Sequence, residues 1–568
     1  MIRKLTQFLQ GHVRGCMWVI LLFSLLGSAC YPQPSTSASS NQVLFASSAP
    51  SNATQLENST PSTPIASPSQ QQAEQTPEVH ASLTSNSPEE VKVQSTHTST
   101  LAPQISTTPT QAFYQYYAQS GDTLPVIAKR FGVDVSEIDS PEALPASGLL
   151  DPGQLLLLPD HLRKLEPGLP LIPDGEIVYG PSAVDFDVSV YLSHARGYLS
   201  QHREYLRSTG WTSAADIITR VALENSINPR LLIALLEYSC GCVRSQSGGR
   251  LEDGYVLGVE DYLRKGLYGQ LWWAANKLST GYYGWRSGSN LEISLPDGKI
   301  YRPAPDSNAG SVALQYYFGQ LWDAHTLTNQ EDVFDYQDWT QALDPVDGLP
   351  ALFRQMFGDA WARAEESGPL LPAGLEQPEM ILPFEPGYVW SYASGPHPAW
   401  QSEGALAALD FAPSTYAPGC VESHAWVLAV ADGPVVRSAN GAVIQDLDHT
   451  GSEPIISDMN ESTGWVVFYM HIASEGRVPV GTYLRTGDPL GHPSCEGGPA
   501  TGTHLHIARK YNGEWMAAGG PLPFVLDGWT AHAGEAPYKG TLTKGDQVVI
   551  AHTSGKRTTQ LSRPEEED

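Results

Sequence analysis

The rhythm of apolar and polar positions changes several times along this chain. Met17 to Leu26 is an apolar run interrupted only by Ser24, too short to span a bilayer comfortably. Residues 31–112 have no rhythm: Ser, Thr, Pro and Gln dominate, a composition that cannot bury a core and predicts a disordered tether. From residue 113, Tyr114, Tyr116 and Ala118 alternate as in a strand. Gly121-Asp122-Thr123 then turns into a short amphipathic helix carrying Leu124, Ile127, Ala128 and Phe131. A second helix is expected from Val135, and Pro152-Gly153 turns into a Leu-rich strand. Between 161 and 379 the apolar positions fall at helical spacing, as in "SAADIITRVALENSI", "PRLLIALLEYS" and "SVALQYYFGQLWD", with Asn228-Pro229 as a helix start. "FDVSVYLSHARGYLSQHREYL" also reads as helical, and "EISLPDGKIYRPAP" as a hairpin turning at Asp297-Gly298. Between 380 and 535 the period drops to two, in short strands separated by turns such as Asp432-Gly433 and Asn440-Gly441. Residues 536–568 close with a strand pair and a charged tail. The expected fold is multidomain: a small α+β module at 113–160, a mostly α-helical domain at 161–379, and an all-β antiparallel domain at 380–535.

Charge narrows the partners. A formal net charge of −28 argues against nucleic acid, which rewards basic patches. It argues equally against retention on anionic lipid by charge alone. The 44 prolines and 52 glycines place much of the chain in loops and linkers. At residues 1–30, Arg3, Lys4 and Arg14 precede the apolar run, and "LLGSAC" follows it, ending at Cys30. This stretch resembles a bacterial lipoprotein signal, with Cys30 as the candidate lipid attachment. Gly27 departs from the usual leucine, and Gly27-Ser28-Ala29 also suits ordinary signal cleavage. Either reading exports the protein to the cell envelope or beyond, where disulfides persist. Of the six cysteines, Cys16 lies in the signal, Cys240 and Cys242 are one residue apart, and Cys420 and Cys495 can pair.

The candidate chemistry is in the β region. In "GTHLHIARK", His504 and His506 share one strand face, about 7 Å apart. One can bind a metal while the other reaches a metal-bound water. "FYMHIAS" ends a strand at His471, and "GPHPAWQSEGALAALDF" supplies His397 and Asp410, thirteen positions apart. Two imidazoles and a carboxylate form a catalytic zinc set with one position left for water. No cysteine cluster has the spacing of a structural zinc site.

From Pro383 to Trp529 the sequence resembles the lysostaphin-type zinc endopeptidases, a family of peptidoglycan hydrolases. Most members have His-x-x-x-Asp for their first two ligands, and here Leu406 stands four before Asp410. The longer His397–Asp410 interval, with "GPH" and "ALDFA", resembles the staphylolysin branch. "YMH" and "HLH" match the family's remaining motifs. The resemblance implies one Zn2+ per chain held by His397, Asp410 and His506. It also implies His504 as the group that orients or deprotonates the water, and His471 as a proton or oxyanion helper. His424, His449 and His492 match no ligand motif and are expected in loops, and Trp400 and Trp465 line either a cleft or the core.

Two further resemblances bear on partners. "QSGDTL", "IAKRFGV", "PGQ" and "LLLP" resemble the LysM module, which binds N-acetylglucosamine polymers, although an asparagine usual after its second helix is missing. "NPRLLIALLEYS" weakly resembles the lysozyme-like lytic transglycosylases, whose helix ends on a glycan-cleaving acid, here Glu237, but Tyr238 replaces their serine. The leading expectation is an exported, membrane-tethered peptidoglycan endopeptidase held at the wall. The alternatives are a non-catalytic wall-binding scaffold or amidase regulator, and a bifunctional hydrolase using Glu237 on glycan.

Overall fold

The structure, a computed structural model, describes residues 113–159, 168–295, 298–326, 338–400, 402–415, 417–448 and 457–564. The targeting segment with Cys30, the tether, Asp297 and His449 lie outside the described residues.

In the first module β1 (Phe113–Tyr117) pairs antiparallel with β2 (Leu155–Pro159), Tyr116 opposite Leu156. The helix Leu124–Phe131 has Pro125 in its first turn and ends at Gly132, whose φ of 65° is the left-handed close that glycine allows. Its Ile127 and Phe131 pack on Tyr116, Leu156 and Leu158. The second helix expected from Val135 is a three-residue 3-10 turn, Val135–Glu137. Pro141 disfavours helix in the residue before it, and Asp139 exchanges backbone hydrogen bonds with Leu157, which draws the chain into the sheet.

This module is bonded to the helical region. Tyr114 Oη donates to Asp306 Oδ2 (2.9 Å) and Gln119 Nε2 to the Asp306 carbonyl (2.9 Å). Ser120 Oγ donates to Leu371 O and accepts from Leu371 N. Arg130 stacks on Trp285 and donates to its carbonyl. The "QSG" turn is thus in use within the chain.

Helices occupy Val188–Ala195, Ala214–Asn225, Pro229–Cys240, Leu267–Ser287, Ala309–Thr326, Asp338–Gln341, Leu349–Phe357 and Ala360–Ser367. Asn228 caps the third by accepting from Arg230 N, with Pro229 at its first position. Two hairpins interrupt them, β3 (Arg203–Leu206) with β4 (Gly210–Ser213), and β5 (Ile293–Ser294) with β6 (Ile300–Tyr301). The second is the hairpin expected at Asp297-Gly298. The first falls where helix was expected. The helix Val188–Ala195 closes on left-handed Arg196, and a Cβ at Gly197 would lie 2.0 Å from the Val243 carbonyl, so the chain turns there. The two longest helices, Leu267–Ser287 and Ala309–Thr326, approach closely at Gly281, where a Cβ would lie 2.6 Å from Tyr316 Cβ.

The β region contains β7 (Val389–His397), β8 (Ala408–Pro413), β9 (Val427–Leu428), β10 (Gly433–Ala439), β11 (Ala442–Asp446), β12 (Trp465–Met470), β13 (Tyr483–Leu484), β14 (Pro489–Gly491), β15 (Leu505–Tyr511) and β16 (Glu514–Trp515). β17 (Val525–Leu526), β18 (Trp529–Ala533), β19 (Gly540–Lys544), β20 (Gln547–Ile550) and β21 (Gln560–Ser562) follow. The main sheet runs β13-β10-β11-β12-β15-β8-β7-β21, with β16 added to β15. The boundary expected at 535/536 falls inside a hairpin: β18 pairs with β19, and β21 returns to β7.

Alternation gives the main sheet two apolar faces. Leu409, Phe411, Val443, Val467, Tyr469 and Ile507 share a core with Phe524, Trp529 and Leu542. Ala408, Ala442, Ile444, Val466, Phe468, Met470 and Ala508 face the other way and share a continuous core with the helices. The helical domain therefore covers one face of the sheet, and the boundary at 379/380 separates chain segments but not cores.

Buried charges sit in that junction. Arg286 on the long helix reaches Asp174 Oδ2 (3.1 Å) and Glu514 Oε2 (3.2 Å). Arg437 (2.6 Å) and Lys510 (3.1 Å) both reach Glu461. Burial pushes the Glu461 carboxyl up, but Arg437 and Lys510 outweigh it and hold it at about 2. A carboxyl depressed in the fold stabilises it above its ordinary value near 4.5 and loses that contribution as pH falls through its folded value. Wild type should therefore lose stability between pH 4.5 and 2. Glu461→Gln should be destabilised at neutral pH by about 3–5 kcal/mol, because two buried cations lose their partner. Its stability should also fall less steeply across that acid window. Thermal unfolding at stepped pH measures both.

Candidate metal centre

The register of three strands assembles the site. His506 on β15 stands opposite Asp410 on β8 and opposite Met470 on β12, so His471 follows immediately after the paired positions. His397 closes β7, with β-bulges before it that turn the strand toward Asp410. The structure thus brings together all five residues marked by the sequence, on the sheet face that the helical domain also covers.

Hydrogen bonds to backbone carbonyls set the ring tautomers. His397 Nδ1 donates to Gly395 O (2.8 Å) and His506 Nε2 to Ala399 O (2.7 Å). This leaves His397 Nε2 and His506 Nδ1 with free lone pairs, 3.0 Å apart. Asp410 Oδ1 lies 3.3 Å from the first and 3.2 Å from the second, and is buried without a hydrogen-bond partner. Three acceptors converging in a buried site call for a cation. Their spacing suits ligands about 2.0–2.1 Å from a single tetrahedral zinc. The residues present therefore fit the metal.

Electrostatics follow from burial and from Asp410. Burial pushes the Asp410 carboxyl up, but His397 and His506 override it and hold it well below the carboxylate range. For His397, burial lowers the imidazole and Asp410 more than restores it, so the ring is raised. His506 is lowered, chiefly by burial. His471 is pushed down to about 3 by burial and then by the neighbouring His504 and His506, so it is neutral at physiological pH.

His471 and His504 form a second pair beside the three acceptors, ring centroids 4.4 Å apart. His471 has a φ of 63°, a conformation rare outside glycine, and its carbonyl accepts from both N and Oγ of Ser494. That turn swings the ring out of the strand direction. Its Nδ1 bonds Glu496 O, and His504 Nδ1 bonds Gly502 O, both at 2.8 Å. Each therefore presents Nε2 as an acceptor, and His504 Nε2 is 3.7 Å from Asp410 Oδ1. Such a pair can take a proton from water and pass one on.

The walls come from loops. Cys420 and Cys495 are bonded, tying the segment before β9 to the Gly-rich approach to β15. Thr503 reinforces this, its N donating to Gly419 O and its Oγ1 to Val421 O. Tyr538, between β18 and β19, stacks on His397 with centroids 4.6 Å apart and exchanges backbone bonds with Gly395 and Pro396. The sequence reading missed Tyr538, and "EAPYKG" carries no local signal that could have marked it.

Other marked residues fall elsewhere. Glu237 Oε2 accepts from Val243 N and Arg244 N, and Oε1 from Arg244 Nε (2.8 Å), so its carboxylate fastens the turn after its helix. Both oxygens are committed to donors, which is the wrong setting for an acid that must give up a proton. Cys240 and Cys242 are bonded in that same turn. His492 bonds Ala425 O and packs on Trp426, and His424 is exposed. Trp465 is a core residue donating to Glu376 O, while Trp400 packs on Phe468, which in turn meets His506 edge-on.

An antiparallel sheet thus carries His, Asp and His as a donor set that fits a metal ion, with a further histidine pair beside it. Comparison gives the relatives. Residues 170–370, the helical region, match the family model described as LasA, N-terminal domain. The chain is homologous to Protease LasA of Pseudomonas aeruginosa, 24% identical over 371 residues, spanning 61% of this chain and 75% of the relative. Among solved structures, the deep-sea metalloprotease pseudoalterin is 21% identical, covering 34% of this chain and 100% of its own, with a TM-score of 0.26. The catalytic domain of lysostaphin from Staphylococcus simulans is 23% identical, covering 23% of this chain and 89% of its own, with a TM-score of 0.16.

The bridge between Cys420 and Cys495 closes a sequence separation of 75 residues. Replacing both by Ser should lower stability by about 2–4 kcal/mol. The thermal unfolding of that variant should shift less in mild reductant than that of wild type, since only the short Cys240–Cys242 bridge is left to reduce.

Proposed function

We propose that this protein is an exported zinc metalloendopeptidase that hydrolyses peptide bonds in peptidoglycan stems or cross-bridges. The observation that carries the reading is the convergence of His397 Nε2, Asp410 Oδ1 and His506 Nδ1 within 3.3 Å of one another. The homology to Protease LasA supports it. His397, Asp410 and His506 would hold the zinc. When bound, the ion supplies Lewis-acid polarisation of the scissile carbonyl and acidifies a water toward about pH 7. His504 is the more open of the histidine pair and accepts the proton of the attacking water through Nε2. His471, neutral and fixed by Glu496 O, presents Nε2 beside His504 and takes the proton onward toward the leaving amine.

The signal-like residues 1–30 and the two disulfides support export, with Cys30 as the lipid anchor. The module at 113–159 holds the enzyme near wall glycan. Its "QSG" turn is bonded to the helical domain, so the surface it offers is the outward side of β1, where Phe113 and Tyr117 are exposed. Phe113→Ala with Tyr117→Ala should reduce retention on sacculi without changing hydrolysis of a soluble muropeptide. Equal retention would leave the module a purely structural unit.

Zinc content and muropeptide release from sacculi of several wall types test the main reading. The wild-type chain should hold one zinc and generate new peptide termini. His506→Ala should hold none, and His504→Ala should hold zinc while losing about 10²–10⁴-fold in rate. A zinc-free, inactive wild type that still binds sacculi would overturn the reading in favour of a scaffold or amidase regulator.

A further inference from the structure

This inference rests on the metallopeptidase reading and concerns the interval between His397 and Asp410. After His397 the chain leaves the sheet and returns at Ala408. That strap is held by the helical domain. Ala399, Ala405 and Ala407 are buried in the core shared with the long helix Leu267–Ser287, and Trp400 packs against it. Three residues on neighbouring turns of that helix grip the strap's polar groups. Buried Asn276 Oδ1 accepts from Ser402 N and Ser402 Oγ, both at 3.2 Å. Lys277 Nζ lies 3.1 and 3.3 Å from the two Glu403 oxygens, and Thr280 Oγ1 donates to Glu403 Oε2 at 2.8 Å. A few positions earlier, the strap's Ala399 carbonyl accepts from His506 Nε2. That bond decides which nitrogen of His506 turns toward Asp410 and His397.

We infer that Asn276, Lys277 and Thr280 are positioning residues for the metal centre. By holding Ser402 and Glu403 they fix the strap, the strap fixes the Ala399 carbonyl, and the carbonyl orients His506. The helical domain thereby sets the geometry of a site to which it contributes no ligand. Partners that orient metal ligands from outside the coordination shell are worth about 10–100-fold in metal affinity. The Lys277–Glu403 pair is partly exposed, so by itself it adds little to stability. Its loss should register at the metal before it registers in the fold.

The test is zinc transfer from the full chain to a colorimetric chelator. Wild type is measured first. Lys277→Glu should release zinc about tenfold faster, the low end for such partners, with little change in Tm. Adding Glu403→Lys to Lys277→Glu should restore slow release, since the pair is re-formed with its charges exchanged. Arg302→Glu, which breaks the exposed Arg302–Glu292 pair of the same domain, should leave release unchanged. If Lys277→Glu does not fold, Glu403→Gln carries the same test with a smaller acceleration. A zinc-holding wild type whose Lys277→Glu and Glu403→Gln variants release at the wild-type rate would overturn the inference alone, as would failure of the exchanged pair to restore slow release. A wild type that holds no zinc would overturn the metallopeptidase reading and this inference together.

Discussion

His506 stands directly across from Asp410 in the β8–β15 ladder, and Met470 stands across from His506 on the other side. The rest of the site depends on that register. Because strand side chains alternate, His504 and His506 share a face with Asp410, while Leu505 and Ile507 turn into the opposite core. A slip of one residue would exchange these sets, burying imidazoles among Phe411, Tyr469 and Trp529 and turning leucine and isoleucine to the face that carries Asp410. Leu505 and Ile507 thus help to hold the histidines on the face of Asp410, since an odd slip would bury imidazole in that core.

The same alternation explains why the helical domain is needed. The sheet has apolar residues on both faces, and a face carrying Ile444, Val466, Phe468 and Ala508 must be covered. The C-terminal strands cover one face and the helices the other. Charged residues in this second junction, Arg286 with Asp174 and Glu514, and Glu461 with Arg437 and Lys510, are paired across elements that lie far apart in sequence. Buried pairs of this kind add little net stability, but leaving one partner unpaired is costly, so Arg286 with Glu514, which joins the long helix to the sheet, favours one docking of helices on sheet.

Much of this could be read in the sequence. The period-two stretches and the Asn-Gly and Asp-Gly turns marked the β region, and the His504-Leu505-His506 spacing and His471 were local signals, while His397 and Asp410 joined them through the resemblance to the lysostaphin-type endopeptidases. What escaped was non-local. Tyr538 reaches His397 only because β18 and β19 fold back along β7, and no periodicity in "EAPYKG" records that. A second helix was expected in the first module from Val135, and the Asp139–Leu157 pairing took precedence. Glu237 looked like an acid at a helix end. Its neighbour in the following turn, Arg244, makes it a fastener. The 379/380 boundary marked a true change of period but could not show that one core runs across it.

The division of labour between ladder and loops follows from where the imidazoles are tied. All four rings of the site donate to a main-chain carbonyl: His397 to Gly395, His506 to Ala399, His471 to Glu496, His504 to Gly502. The ladder places the Cα atoms, but these carbonyls decide which nitrogen carries the proton, and so which lone pair faces the centre. Three of the four belong to loops or to the strap. Glu496 and Gly502 flank a segment anchored by the Cys420–Cys495 bridge and Thr503, and Ala399 rides on the strap gripped by the helix Leu267–Ser287. A sheet alone would fix the tautomer of His397 and leave the other three undetermined. The cross-linked loop and the helix-held strap are what convert a cluster of histidines into a centre with defined donors and acceptors.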